Sequence, residues 1–572
     1  MEKYSRQQGL VAQDVLADAD LVLAGTGPAI TYLLQCLAML GVATRHGGIH
    51  LRDADRPTTP SDVAGQFLLR PDDVGVPLGA ALARRVRDLD PAVNISAGGP
   101  APAPALTVAV PAPGESTGIA ARGRVDIWGQ VGAAAVTVGP QPAPAGPGLP
   151  NALTPALACV CGGLLGQAVL GQLGAVITGP AVLSGWTEER LWLRHPAIGR
   201  HTAATKLDAP ALSGVLATAA GPSVAAGFRI LRDGEPVEAR ITMVVDDDTV
   251  VISLPGQPAA AGTTATIRPN RLPPRPVRAL TWSPFAAPEV AVPDRIPASR
   301  VVMCGAGALG SWAGAALAVT PAEGLDLCVV DMDGEVERHN LNRQVLYTRA
   351  DIGRAKAERA AERLAEINPT VRLRGIRTMI DVHSRDQLLG DEVLLSDDPA
   401  VSEQRRRIDE LGAVLRSADA VLSCPDNQQT RWVLNCLTER LGIAWVNGAV
   451  DGFVGRVHVC DPKDHGRCVV CWLGRSVALS PARRSCTDVT GPVPVPSIAT
   501  SAAIVGGVQA AVLVAELTGN AAAVARFHTL DGIEGALVGY RAADRDPGEC
   551  PAHLLQAEPT EELTTHADSD QQ

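Results

Sequence analysis

The amino-acid sequence is internally duplicated, and this constrains the fold more than any other feature. An apolar run followed by a glycine-rich turn occurs at residues 19–31 and again at residues 300–311. In both copies a second apolar run leads into an Asp-x-Asp pair, beginning at Asp53 and at Asp331. An apolar strand, a glycine turn and a helix form the opening of a Rossmann-like unit. The sequence therefore predicts an α/β fold with two tandem Rossmann-like domains.

The domain boundaries follow from where the repeat stops. The first copy is predicted to span residues 1–205 and the second residues 298–555. Residues 206–297 are predicted to form a small β-rich insert and a proline-rich linker. The β-rich runs are Phe228–Arg232, Ala239–Val245 and Thr249–Leu254, and the linker begins at Pro269. Residues 556–572 are polar and acidic and are predicted to form a disordered tail.

Charge and composition exclude some functions. The chain of 572 residues has 50 Lys and Arg against 61 Asp and Glu and carries no long basic run, which argues against nucleic-acid binding. The N-terminus lacks a signal-peptide pattern, so we expect a cytoplasmic protein with reduced cysteines. Two long stretches, 127–187 and 489–515, carry no charge. Their glycine, proline and glutamine content favours buried helices over membrane spans.

The glycine turn of the second copy is a candidate phosphate site. Gly305, Gly307 and Gly310 follow an apolar strand, and Asp331 ends the next one. Glycines let backbone N–H groups approach a phosphate, and a carboxylate at that position can hold ribose hydroxyls. This pattern alone would also suit an NAD-dependent oxidoreductase. It also occurs as a tight strand-to-helix connection without a ligand.

The residues after the glycine turn form a more specific pattern of acidic, amide and basic side chains. In chain order they are Asp331, Asp333, Asn340, Arg343, Gln344, Lys356, Asp426 and Asn427. With these residues the second copy resembles the ThiF/MoeB/HesA family, the adenylyltransferases related to ubiquitin-activating enzymes. The first copy resembles this family only in degenerate form. The resemblance implies that both copies derive from ATP-binding domains.

The resemblance also implies a role for each matching residue of the second copy. Asp331 would contact the ribose of ATP, and Asp426 would hold Mg²⁺. The triphosphate would be held by Asn340, Arg343, Gln344 and Lys356, and the nucleotide site would be completed by Asp333, Asn427 and the three glycines. Adenylation needs cations around the triphosphate and a metal-holding carboxylate, so the chemistry agrees. The alternative for Arg343 and Lys356 is a solvated helix surface.

The first copy lacks the cations and the metal ligand. Alignment on Asp73 and Asp351 places Gly65 at the position of Arg343 and Leu78 at that of Lys356. We therefore predict a non-catalytic half. Its N-terminal segment Tyr4-Ser-Arg6-Gln7 matches the family segment that, by resemblance, contributes an arginine to the ATP site of the other subunit. Arg6 would then complete the site within one chain, so a homodimer stays open but is not required. The alternative is a frayed tail with an exposed arginine.

Two pairs of potential metal ligands lie in the last part of the second copy. Cys468-x-x-Cys471 and Cys550-x-x-His553 have the spacing of a structural Zn²⁺ site. The alternative is two unrelated pairs. Cys486, next to two arginines, lies where family members often carry a cysteine for thioester or persulfide chemistry. An inert cysteine explains Cys486 equally well.

Taken together, these features predict an enzyme that uses Mg²⁺ and ATP to adenylate a carboxylate. The resemblance implies that the partner is a small ubiquitin-like sulfur-carrier protein or a biosynthetic precursor peptide with a C-terminal carboxylate. Two other classes stay open. A non-catalytic scaffold for a peptide-modifying enzyme would explain the first copy, and an oxidoreductase would explain the glycine turn and Asp331.

Overall fold

The computed structural model describes most of the two duplicated halves and parts of the insert. The described residues are 2–7, 10–98, 105–112, 116–121, 124–143, 150–178, 190–194, 228–232, 235–236, 240–246, 249–253, 266–287, 290–332, 334–381, 384–389, 399–464, 468–469 and 497–541. Each half is built on a mixed sheet with helices packed against it. The predicted fold class is therefore confirmed.

In the described part of the first half there are six strands and six helices. The strands are β1 (Leu21–Ala24), β2 (Ile49–Arg52), β3 (Ile95–Ala97), β4 (Leu106–Ala109), β5 (Ile127–Val131) and β6 (Val136–Gly139). The helices are α1 (Gln13–Ala17), α2 (Ile30–Leu40), α3 (Pro60–Val63), α4 (Leu78–Leu89), α5 (Ser116–Ala121) and α6 (Thr154–Gln172). A 3-10 helix at Glu2–Gln7 precedes them.

In the segment between the halves, the described residues form mainly strands. They are β7 (Ile177–Thr178), β8 (Arg190–Arg194), β9 (Phe228–Arg232), β10 (Glu235–Pro236), β11 (Arg240–Asp246), β12 (Thr249–Ser253), β13 (Thr266–Arg271) and β14 (Leu280–Trp282). Strands β7 to β13 form one four-stranded and one three-stranded sheet. The three runs predicted as β-rich correspond to β9, β11 and β12. Strand β14 lies within the predicted linker and joins the edge of the first sheet beside β6.

Among the residues of the second half that the structure describes, there are eight strands and six helices. The strands are β15 (Ser299–Cys304), β16 (Leu325–Asp331), β17 (Arg372–Arg377), β18 (Ala420–Ser423), β19 (Ala444–Asp451), β20 (Val454–Cys460), β21 (Phe527–Asp531) and β22 (Ala536–Tyr540). The helices are α7 (Ala308–Ala318), α8 (Lys356–Ile367), α9 (Ser384–Leu389), α10 (Pro399–Arg416), α11 (Gln428–Leu441) and α12 (Ala499–Leu517).

The two sheets have the same strand order, which confirms the duplication. The first sheet runs β3-β2-β1-β4-β5-β6-β14, and the second runs β17-β16-β15-β18-β19-β20-β21-β22. The first five strands of each order are parallel, and those after them are antiparallel. Parallel sheets need both faces covered, and here helices cover them. The strand order reverses at β15 and β18, where open α/β sheets bind ligands.

A shared turn shows how closely the copies correspond. The short 3-10 helices Pro71–Asp73 and Arg349–Asp351 are each closed by a capping box. Asp73 Oδ2 accepts from the Arg70 N–H at 2.8 Å, and Asp351 Oδ2 accepts from the Thr348 N–H at 2.7 Å. The glycine that follows each turn has a φ of +85°, which is accessible to glycine at little cost. The motif used for the alignment is thus a structural turn in both halves.

The halves meet where α6 crosses α12. Both helices are apolar and long enough to span a membrane by length and composition, but 83% and 89% of their most apolar windows are buried within the protein. A Cβ atom on Gly163 of α6 would lie 2.7 Å from Ile504 of α12, and one on Gly507 of α12 would lie 2.9 Å from Val160 of α6. Glycines therefore allow the close crossing. The long helices described within the two charge-free stretches are therefore buried, as predicted.

The crossing predicts opposite effects for two alanine substitutions on the same helix. Gly163→Ala should destabilise the protein by about 1–3 kcal/mol, because the new methyl group would contact the α12 backbone. Gly171→Ala should stabilise it by up to about 1 kcal/mol, because a Cβ there meets nothing within 4 Å and alanine favours the helix. Thermal unfolding midpoints measure both. An unchanged or raised midpoint for Gly163→Ala would show that the crossing tolerates widening.

Candidate active site

The glycine turn between β15 and α7 opens into a cavity. Gly305 has a φ of +98°, and a Cβ there would lie 2.7 Å from the Cys424 backbone. A Cβ on Gly310 would lie only 1.9 Å from the Gly305 carbonyl oxygen, so this glycine lets the helix pack against the turn. A Cβ on Gly307 would meet only Gln344, at 3.9 Å. Gly307 thus faces open space, where a ligand can approach the backbone.

The cavity has a volume of about 330 Å³ and is lined by residues of the second half, including Ser497 just before α12. Its lining includes most of the predicted site: Gly305, Gly307, Asp331, Asn340, Arg343, Gln344, Lys356, Asp426 and Asn427. Gly310 lies in α7, behind the turn. Asp333 lies outside the described residues.

The parallel sheet explains why residues so distant in sequence meet. Asp331 ends β16, and Asp426 follows the end of β18. Lys356 is the first residue of α8. Carboxyl ends of parallel strands lie at one edge of a sheet, next to the helices that follow them. The second sheet therefore places two carboxylates and an ammonium group around the glycine turn.

The two predicted cations are buried in the cavity wall. Arg343 is 4% exposed, and its Nη1 donates to the His339 carbonyl and to Asn342 Oδ1, both at 2.8 Å. Lys356 is 8% exposed, and its Nζ lies 3.0 Å from where a Cβ on Gly334 would stand. These contacts exclude a solvated helix surface, the alternative considered for both residues. Fixed buried cations favour an anionic ligand.

Asp331 lies at the foot of the glycine turn. Its Oδ2 accepts from the Ala306 N–H at 2.6 Å. Desolvation raises the pKa of Asp331 to about 6, with a further upward contribution from Asp426, while Lys356 and the Ala306 N–H act in the opposite direction. The carboxylate is therefore mostly ionised at neutral pH and able to accept hydrogen bonds from hydroxyl groups.

Gln344 shows that the cavity wall has an unused hydrogen-bonding group. Its Oε1 is buried and has no hydrogen-bond partner within the described residues. The aligned residue of the first half, Gln66, accepts from the backbone N–H groups of Leu68 and Leu69. An unpaired buried acceptor is costly, so a ligand that donates to Gln344 would be favoured. The wall therefore fits a polar ligand such as a nucleotide.

Arg6 reaches the edge of this cavity from the first half. It is buried in the N-terminal 3-10 helix, and its Nη2 lies 3.4 Å from His339 Nε2. Its carbonyl accepts from the Ser497 N–H at 2.7 Å. His339 and Ser497 both line the cavity. Arg6 is thus held in an ordered contact between the halves and does not belong to a frayed tail.

The ionisation of His339 reports the positive potential of the cavity. Burial, together with charge repulsion from Arg343, Arg6 and Lys356, lowers its pKa to about 4. His339 is therefore neutral at physiological pH even though its Nε2 lies 3.1 Å from Glu337 Oε2. Three cations acting on one side chain define a site suited to several negative charges.

The corresponding turn of the first half is blocked by its own chain. A Cβ on Gly27, which aligns with Gly307, would lie 2.4 Å from the Pro111 carbonyl oxygen. The Gly27 N–H donates to the Val110 carbonyl at 2.7 Å. Leu78 is the first residue of α4, as Lys356 is of α8, and it is buried. The first half therefore keeps the glycine turn without the space or the charge for a phosphate.

Several cavity residues have roles that the motifs did not predict. Asn427, predicted to contact nucleotide, is the N-cap of α11, and its side chain accepts from the Thr430 N–H at 2.8 Å. Arg431 donates through Nη2 to the carbonyls of Pro425 (2.6 Å) and Gly448 (2.9 Å), which fixes the turn before Asp426. His339 and Ser497 were also missed. His339 is next to Asn340 in the sequence and Arg431 lies four residues after Asn427, whereas Ser497 had no sequence signal.

The predicted zinc ligands and the candidate reactive cysteine lie largely outside the described residues. These are Cys471, Cys486, Cys550 and His553. Cys468 is described and is buried. Among the described residues, no group of three or more His, Cys, Asp or Glu side chains could hold a metal ion. The zinc site stays a prediction.

The comparisons with known proteins agree with the motifs. Residues 278–552 match the ThiF family. The SAMP-activating enzyme E1 of Haloferax volcanii is 31% identical over 177 residues, covering 31% of this chain and 54% of that protein. The sulfur carrier protein adenylyltransferase of Thermus thermophilus is 34% identical over 181 residues, covering 31% and 56%. The Escherichia coli sulfur carrier protein ThiS adenylyltransferase is 28% identical over 173 residues, covering 30% and 57%.

The second half of the chain therefore matches the ThiF family, and the resemblance found in the motifs is confirmed. The chain spans about half the length of these curated relatives. A solved structure of E. coli MccB with ATP is 16% identical, with a TM-score of 0.33 over 44% of this chain and 66% of that chain. That likeness is too weak to support an inference about this protein.

The contact between Arg6 and His339 gives a direct test of the site geometry. Arg6→Ala should raise the pKa of His339, because one of the three repelling cations is removed. An NMR titration of the imidazole signals measures this, with the His339 signal assigned from a His339→Gln variant. Arg45→Ala, which removes an exposed arginine paired with Asp18, is the matched control and should leave that pKa unchanged. If the pKa of His339 is the same in both arginine variants, Arg6 does not act on the cavity.

Proposed function

We propose that the second half of this protein adenylates a carboxylate with Mg²⁺ and ATP. The observation that carries the proposal is the difference between the two glycine turns. At Gly307 the turn opens into a cavity lined by Arg343, Lys356 and Asp426, whereas at Gly27 the chain's own backbone fills the space. The open turn has N–H groups, cations and a carboxylate arranged around a volume for a triphosphate.

The proposed reaction needs charge stabilisation more than acid–base chemistry. A carboxylate oxygen of the substrate forms a bond to the α-phosphorus of ATP, the bond from that phosphorus to the bridging oxygen breaks, and pyrophosphate leaves. Arg343 and Lys356 would stabilise the negative charge on the phosphates. Asp426 would hold Mg²⁺, which neutralises phosphate oxygens when bound. Asp331 would accept hydrogen bonds from the ribose.

The substrate we propose is the C-terminal carboxylate of a small carrier protein or of a precursor peptide. Two of the relatives are named as sulfur carrier protein adenylyltransferases, which supports a carrier. The β-rich insert would contact this second substrate. Cys486 would take up the adenylated carboxylate only if the pathway continues through a thioester or persulfide. We place the reaction in the cytoplasm, without nucleic-acid or membrane partners.

The first half would serve as an internal partner subunit that supplies Arg6. Arg6 is already held at the cavity edge by Ser497, so a single chain would contain one complete site. The two other classes of protein considered, an oxidoreductase and a scaffold, account for fewer of these observations. An NAD-dependent oxidoreductase leaves Arg343, Lys356 and Asp426 without a role. A scaffold gives no reason for an open glycine turn in one half and a blocked turn in the other.

Exchange of labelled pyrophosphate into ATP tests the proposal, with candidate carriers and peptides encoded beside this gene as carboxylate substrates. Asp426→Asn should lower the exchange rate by about 100-fold or more, because charge stabilisation of the leaving pyrophosphate is lost. Lys356→Met should have an effect of similar size. Lys463→Met, at an exposed lysine, is the control for loss of one positive charge. Wild-type exchange in the Asp426 or Lys356 variant, with the fold intact, would refute the assignment.

We also propose one structural Zn²⁺ per chain, bound by Cys468, Cys471, Cys550 and His553. Four protein ligands would leave no position for a reacting water, so the metal would stabilise the fold only. Elemental analysis should return about one zinc per chain. Cys468→Ser together with Cys550→Ser should lose the metal and lower the thermal midpoint, while Cys328→Ser, at a buried cysteine of β16, should keep it. A folded wild-type protein without zinc would contradict the site.

A further inference from the structure

Gln509 belongs to α12, the helix that crosses α6, and its side chain reaches the edge of the second sheet that carries the cavity. Its side chain is fully buried. The Nε2 group donates to the carbonyl of Ser423, the last residue of β18, at 2.9 Å, and lies 3.3 Å from the Val446 carbonyl of β19. Gln509 thus joins the carboxyl end of β18, three residues before Asp426, to the neighbouring strand β19.

The other end of the amide completes this contact. Gln509 Oε1 accepts from the Cys424 thiol at 3.6 Å. A Cβ on Gly448 would lie 2.3 Å from the Gln509 amide, so only glycine at that position lets the side chain approach. Arg431 fixes the same turn from the other side through the Pro425 carbonyl. Two buried side chains therefore hold three consecutive residues, Ser423 to Pro425, immediately before Asp426.

We propose that Gln509 is a positioning residue that fixes the Ser423–Pro425 turn and, through it, the carboxylate of Asp426. This inference rests on the proposed role of Asp426 in holding Mg²⁺. Strands β18 and β19 pair as far as Ser423 and Asn447, and the chain of β18 then turns toward the cavity. Without the amide, the Ser423 carbonyl and Cys424 thiol lose a buried partner, so the turn is free to shift. A displacement of about 1 Å is enough to impair a catalytic group.

The first half provides a matched control. Gln167 lies in α6, the helix of the first half that crosses α12, and it is also buried. Its Nε2 donates to the Gly532 carbonyl at 3.0 Å, and its Oε1 accepts from Thr500 Oγ1 at 2.9 Å. Gln167 therefore makes hydrogen bonds of the same kind across the two halves, away from the Asp426 turn. Loss of either glutamine should destabilise the fold, but only loss of Gln509 should affect the turn.

The experiment compares Gln509→Met with Gln167→Met, since methionine keeps the volume but removes the hydrogen bonds. Both variants should lower the thermal midpoint. In Gln509→Met alone, hydrogen exchange at the backbone amides of Cys424, Asp426 and Asn427 should become about tenfold faster. The Mg²⁺ concentration for half-maximal pyrophosphate exchange should rise in that variant, while ATP affinity measured in EDTA stays within about twofold of wild type.

The outcomes separate this inference from the proposed function. Equal hydrogen exchange at the Asp426 turn in the two variants would overturn the positioning role. Gln509→Met could also show faster hydrogen exchange at the turn but need no more Mg²⁺ for pyrophosphate exchange. That result would show that the turn does not control the metal, which also overturns the inference. A wild-type protein without pyrophosphate exchange would instead refute the proposed function, and the hydrogen-exchange result would still decide whether Gln509 fixes the turn.

Discussion

The crossing of α6 and α12 is the contact on which the rest of the structure depends. Glycines at the crossing bring the two backbones close, and the near absence of charged residues lets both helices lie in the core. Helix α12 and the residue before it then make polar contacts with two other parts of the chain. Ser497, just before the helix, binds the segment that contains Arg6, and Gln509, within it, binds the turn before Asp426. A close apolar contact between the halves thus orders polar groups at the proposed nucleotide site.

The two halves show which parts of the fold serve structure and which serve chemistry. The strand order, the capped turns at Asp73 and Asp351 and the first glycine of each glycine turn are present in both copies. These features shape the backbone, so both halves need them. The cations, by contrast, occur in one copy only. Charge near phosphate has value only where a ligand binds, because buried cations carry a desolvation cost.

The sequence predicted the framework well and the supporting contacts less well. Strand order and the glycine turn depend on local patterns that repeat, and Asp331 and Lys356 follow from a motif at fixed spacing. Strand β14 was missed because three residues among prolines look like a linker. Ser497 and Gln509 were missed because their partners lie more than 60 residues away in the chain. Asn427 matched a motif, yet its side chain caps a helix. Motifs indicate which residues share a site without assigning each hydrogen bond.

The blocked turn at Gly27 has a consequence for how such a protein can evolve. In a symmetric dimer of identical chains, every substitution appears at two equivalent positions, so closing one site closes both. Here the two positions are encoded separately, and Pro111 could fill one turn while the other kept its opening. Covalent fusion therefore frees half of the protein from selection for catalysis. That half can acquire surfaces for new partners without loss of the reaction centre in the other.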